Sequence, residues 1–138
     1  MSLPTIEQFE SGAVDVGAFD HEAHIYLAWS YLGRCDLLES IRRYREALRR
    51  LTRKIGAEAK YHETITWFYL VSIAERRALA PGAEWSEFRR DNAELFAPAG
   101  AWLRRHYSEV RLQSALARTS FVLPDRASPE GAGALSAA

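Results

Sequence analysis

The sequence predicts an all-α, single-domain bundle of four or five helices around a buried central helix at about 60–79. Three observations predict it. Leu37, Leu38, Ile41, Tyr44, Leu48, Leu51 and Ile55 recur at steps of three and four, the spacing of one helix face. Ile65, Trp67, Phe68, Tyr69, Leu70, Val71, Ile73 and Ala74 go nearly all the way round a helix, which marks a buried one. No pair of alternating apolar segments joined by a turn suggests a strand pair.

The elements follow from caps and breakers. Thr5 is placed to cap a short helix ending near Gly12, within an arm over 1–19 expected to be less regular. Asp20 is a good N-cap for a helix over 21–32, and Gly33 reads as its stop. Asp36 caps the helix over 37–55, which Gly56 ends. The central segment 60–79 is rich in β-branched and aromatic residues, as a strand would be. It reads as helix because the apolar run continues into Glu75-Arg76-Arg77-Ala78 with no turn signal. Pro81-Gly82 breaks the chain, and Ser86 then caps 87–96. Pro98 and Gly100 precede a helix at 101–107, and Ser108 or Ser114 starts one more. The Pro/Gly/Ala/Ser-rich tail 124–138 is expected to be extended, mobile or packed as a strap.

Composition narrows the function classes. A chain of 138 residues that is 48% apolar and 26% charged suits one soluble globular domain. Eighteen basic and eighteen acidic residues cancel, so nucleic acid is not an expected partner. No run of 18 apolar residues exists, so no membrane span is expected. The lone Cys35 and the absence of a secretory pattern at the start suit a cytoplasmic protein.

The chemistry-bearing residues are histidines. His21 and His24 stand three apart at a helix start and share a face, so two imidazoles can converge on one metal ion. His62 and Glu63 open the central helix, where unpaired polar groups would be costly. His21, His24 and His62 together would make a three-histidine site with open positions for water or substrate. Glu63 would be a fourth ligand, an orienting carboxylate or a general base, and Tyr61 a hydrogen-bond donor to substrate. Imidazole suits Fe, Cu, Zn or Ni, and the sequence does not choose among these divalent transition metals. The expected function is a small metal-dependent enzyme acting on a small-molecule substrate, with redox or lyase chemistry favoured. Two alternatives stand beside it: a metal-free acid–base enzyme using histidine and Glu63, and a non-enzymatic module binding a ligand or partner through an Arg-rich face. An apolar helix face left over on so short a bundle would also allow a homodimer.

Three segments, Phe19-Asp20-His21-Glu22-Ala23-His24, Tyr61-His62-Glu63-Thr64 and Phe121-Val122-Leu123-Pro124-Asp125, resemble a pattern of small bacterial helical proteins. Those carry F-x-H-x-x-H, Y-H-E-T and F-V-x-P-D in the same order. The resemblance implies that His21, His24, His62 and Glu63 belong together and that Pro124-Asp125 packs on the domain. No activity is established for that group, so it implies no substrate or cofactor.

The remaining candidates have plain structural readings. Thr64 and Thr66 bond to the preceding turn. Trp29, Trp67 and Tyr69 belong to the core more readily than to a pocket wall. His106 reads as a helix C-terminal cap and Cys35 as an inert thiol. Between 42 and 54 seven basic residues face one acid, Glu46. Pairs Glu39–Arg43 and Glu46–Arg50 would make this a solvated face.

Overall fold

The computed structural model describes residues 2–126. Among them the chain forms eight α-helices and no strand: α1 Ile6–Ser11, α2 His21–Arg34, α3 Leu37–Lys54, α4 Glu63–Leu79, α5 Trp85–Asp91, α6 Ala101–Arg104, α7 Glu109–Leu112 and α8 Ala115–Thr119. The expected all-α bundle is therefore what the chain adopts. The part of the C-terminal tail beyond Arg126 lies outside the described residues.

Short polar side chains start most of these helices, as the N-cap rule requires. The Thr5 hydroxyl accepts from the Gln8 amide while the Gln8 side chain accepts from the Thr5 amide, and Gly12 ends α1 in the left-handed region at φ 78°. Asp20 accepts from the Ala23 amide at 2.9 Å, and Asp36 from the Glu39 amide at 2.8 Å. Ser108 and Ser114 cap α7 and α8, so both start helices. The helix placed at 87–96 instead starts at Trp85. Glu84, not Ser86, is its cap, in a reciprocal box with Glu87.

Helices α2, α3 and α4 pack on one another, with α1 against α2 and α3 and α8 against α4. The centre of the molecule is a set of buried rings and branched chains. Phe9 lies against Phe19, Tyr31 and Tyr44 at 5.5, 6.4 and 5.3 Å between ring centroids. The arm over 1–19 is thus more ordered than expected, because Ile6 and Phe9 are core residues, each 1% exposed. The Glu10 carboxylate takes both the Tyr31 hydroxyl and a two-bond fork from Arg43, which ties α1 to α2 and α3.

Gly33 does not stop α2; the helix runs on to Arg34. A Cβ at Gly33 would stand 2.6 Å from a guanidinium nitrogen of Arg77, so the glycine is a notch for that side chain. Arg77 in turn lies over the Trp29 ring, 4.4 Å from its centroid. Trp29 belongs to an aromatic cluster with Tyr26, Trp85 and Phe88.

Thr64 also departs from expectation. It donates to the Ser120 carbonyl at 2.8 Å and accepts from the Val122 amide at 3.1 Å, so it pins the segment after α8 onto α4. Asp125 takes the Ser108 amide and hydroxyl at 2.8 and 2.6 Å, and the Arg126 amide donates to the His106 carbonyl. The described part of the closing segment is packed on the domain. Among the described residues no helix is long and apolar enough to cross a membrane.

Candidate functional site

A cavity of about 520 Å³ opens between α2, α3 and α4. Its walls are mostly apolar, with Ile25, Leu48, Leu51, Ile65 and Leu70 among them. The polar lining includes His21, His24, His62, Tyr44, Tyr61, Tyr69 and Thr66. The three histidines named from sequence thus meet at one cavity. What each ring does there depends on where its two nitrogens go.

His62 has no nitrogen to spare. It is the N-cap of α4: its Nδ1 accepts from the Ile65 amide at 3.2 Å. Its Nε2 faces the Leu112 carbonyl at 2.7 Å, and a carbonyl only accepts, so Nε2 carries the proton. The ring is neutral with both positions used, and burial lowers its pKa from the ordinary value. In this arrangement His62 is a structural clamp between the start of α4 and the end of α7, with no lone pair left to offer a metal.

His21 donates from Nε2 to the Leu95 carbonyl at 2.9 Å and stands edge-on to Tyr69, 5.3 Å between centroids. His24 packs on Phe19 at 4.1 Å between centroids, and its Nδ1 lies 2.9 Å from the Tyr44 hydroxyl. Burial first, then the neighbouring His21, lowers the His24 pKa to about 4, so this ring is neutral at physiological pH. Burial raises the Tyr44 phenol above its ordinary range, so it stays protonated. The phenol is the better donor of the two and gives its proton to Nδ1. The His24 N–H is then on Nε2, which has no hydrogen bond among the described residues.

Glu63 turns away from the histidines. Both its oxygens accept from Arg45 Nε, at 2.8 and 2.9 Å, and Oε1 also accepts from the Tyr61 hydroxyl at 2.5 Å. This carboxylate lines a different, more polar cavity of about 440 Å³ on the far side of Tyr61. The roles expected of it as ligand or base beside the imidazoles are therefore not met by its position. Tyr61 is committed as donor to Glu63, and burial, then that bond, raises its pKa above the ordinary range. Among the described residues no group of three or more His, Cys, Asp and Glu side chains is arranged to hold a metal ion. The donor set does not fit the three-histidine centre.

The other candidates fall elsewhere. Thr66 bonds back to the His62 carbonyl, as expected. Tyr69 lines the cavity after all, with burial raising its pKa to about 12, while Trp67 stacks on Phe121 away from it. His106 lies among Phe68 and Trp102, outside the cavity. Cys35 is partly buried, and its sulfur accepts from Arg43 at 3.5 Å. The Arg-rich face of α3 is paired differently from the spacing rule: Arg42 takes both Glu39 and Glu46, and Arg43 reaches Glu10 instead of Glu39. Tyr44 is the cavity residue that sequence reasoning missed. In the sequence it is one more member of the α3 apolar stripe, and nothing local distinguishes a core tyrosine from one that orients a histidine.

Comparison with known proteins gives no match: no family model, curated protein or solved structure is significantly similar to this chain. The likeness of its three short segments to small bacterial proteins thus rests on those segments alone.

Proposed function

We propose that this chain is a small-molecule-binding protein that takes a mainly apolar ligand into the cavity between α2, α3 and α4, with His24 as the hydrogen-bond anchor. One observation carries this reading. A largely apolar cavity of about 520 Å³ is lined by an imidazole whose N–H has no hydrogen-bond partner among the described residues. That volume falls within the roughly 300–1,000 Å³ of small-molecule sites, which pair apolar walls with a few convergent polar groups. Tyr44 fixes the tautomer and aims the ring.

Binding is favoured over acid–base catalysis on magnitude. A general base works best with a pKa near the operating pH. His24, at about 4, lies well below it and has little drive to take a proton. As a neutral donor it needs no such drive. The three-histidine metal reading would require His62 to leave both its backbone partners and uncap α4.

The test is calorimetric titration with 1-decanol and with 1-naphthol, two apolar bodies each carrying one hydroxyl. Saturable one-to-one binding of either is expected. His24→Phe keeps the ring volume but loses the donor, and should weaken binding about fivefold, the worth of one net hydrogen bond of about 1 kcal/mol. Ile65→Trp should fill the cavity and abolish binding in a folded protein. Failure of both probes to bind the folded wild type would overturn the proposal.

A further inference from the structure

The second cavity adjoins the first. Tyr61 and Thr52 line both. Its walls are far less apolar than its neighbour's, whose one charged lining residue is Lys60. Arg49, Thr52 and Arg53 stand on one face of α3 at helical spacing, and Arg118 of α8 lines the same cavity. Arg49 lies over the Tyr61 ring, 5.4 Å from its centroid, and Arg118 donates to the Ala59 carbonyl at 3.2 Å.

These three belong to the minority of described arginines with no ion pair, and they gather at one place. Among the described residues nine arginines sit in ion pairs: 34, 42, 43, 45, 76, 89, 90, 104 and 105. Seven sit in none, Arg49, Arg50, Arg53, Arg77, Arg111, Arg118 and Arg126, and three of these, Arg49, Arg53 and Arg118, line this one cavity. The Glu63 carboxylate there is already neutralised by Arg45. Glu58 is then the one uncompensated acid facing three guanidiniums. In a chain whose charges balance overall, that is a local excess of positive charge at the edge of an apolar chamber.

We infer that the ligand is amphipathic: an apolar body in the histidine-lined cavity, continuous past Thr52 and Tyr61 with an anionic head group, carboxylate or phosphate, held by Arg49, Arg53 and Arg118. The inference rests on the reading of the first cavity as a ligand site. Guanidinium is suited to both head groups, since its planar fork of N–H donors matches two oxygens at once.

The experiment compares 1-decanol, decanoate and decyl phosphate by calorimetry, at low salt and at 500 mM NaCl. Binding of at least one anion about tenfold tighter than decanol at low salt is expected. The better of the two anions identifies the head group. High salt should shrink the advantage, because exposed charges are screened. Arg49→Ala/Arg53→Ala/Arg118→Ala should bring the anions to the affinity of decanol and leave decanol unchanged, and Arg53→Ala/Arg118→Ala should remove most of the gap. Arg53→Lys/Arg118→Lys should restore part of the gap, since it keeps the charge and loses the fork. Equal affinities for all three probes, or an anion preference that survives the triple alanine variant, would overturn this inference while leaving the cavity reading in place. If none of the three binds the folded protein, the cavity reading falls as well.

Discussion

Replacing His24 with Gln should flatten the acid limb of the stability curve by an amount the structure allows to be worked out. The ring titrates at about 4 in the folded chain and near 6.5 when exposed. A histidine whose folded pKa lies below its unfolded value takes up a proton more readily when unfolded. Stability from this source is complete above about pH 6.5 and is lost as pH falls toward 4. Integrating between those two values gives a loss of about 2 kcal/mol by pH 5 and about 3 kcal/mol by pH 4. That is a large share of the roughly 5–15 kcal/mol that holds a domain together.

Burial also lowers the pKa of His62 and of His106, so the wild-type curve alone does not isolate His24. The difference between wild type and His24→Gln does, because glutamine does not titrate. Urea unfolding followed by circular dichroism at half-unit steps from pH 8 to 4 gives both curves. The stability advantage of wild type over His24→Gln should shrink by about 3 kcal/mol across that range. Parallel curves would refute the assignment of a buried, neutral imidazole held by Tyr44. So would an NMR titration that placed the His24 midpoint near 6.5.

Three further outcomes follow from the same structure. His62→Ala should lower stability by about 1–2 kcal/mol in urea unfolding, since α4 loses its cap and α7 its clamp, and His62→Asn should recover the cap share alone. Thr64→Val should cost about 2 kcal/mol for two lost buried hydrogen bonds and speed protease cleavage near Phe121, the segment that Thr64 pins. Gly33→Ala should gain about 1 kcal/mol of helix propensity in an Arg77→Ala background and distinctly less in wild type, where the new methyl meets the guanidinium; thermal melts of the four-protein cycle would show whether the two changes add.

The helices were legible where their causes are local. Asp20, Asp36, Thr5, Ser108 and Ser114 announce helix starts because a short polar side chain bonds an amide two or three residues on, all within one window of sequence. The stripe on α3 is legible for the same reason. Gly33 misled because its partner, Arg77, is 44 positions away, and glycine reads as a stop unless something is known to fill the space beside it. Glu63 misled because Arg45 decides which way it turns, and that pair forms only once α3 and α4 pack. His62, a polar ring at the start of an apolar helix, needs a reason for its place. The reason is capping, a role that residue-type rules give to serine, threonine, aspartate and asparagine.

His24 and His62 are the same residue at the edge of the same cavity, and the fold gives them opposite uses. The difference is a count of nitrogens. Each imidazole brings one donor and one acceptor when neutral. His62 sits where a helix start supplies an unpaired amide and a neighbouring helix end supplies an unpaired carbonyl, so the backbone takes both. His24 lies inside the first turn of α2, where Asp20 already satisfies the Ala23 amide. Among the described residues its one hydrogen-bond partner is a phenol, which gives one hydrogen bond and requires none in return. One N–H is left on the wall of the mainly apolar cavity with no hydrogen-bond partner among the described residues. On the binding reading proposed above, a guest carrying one acceptor would meet that N–H and a purely apolar guest of the same shape would not.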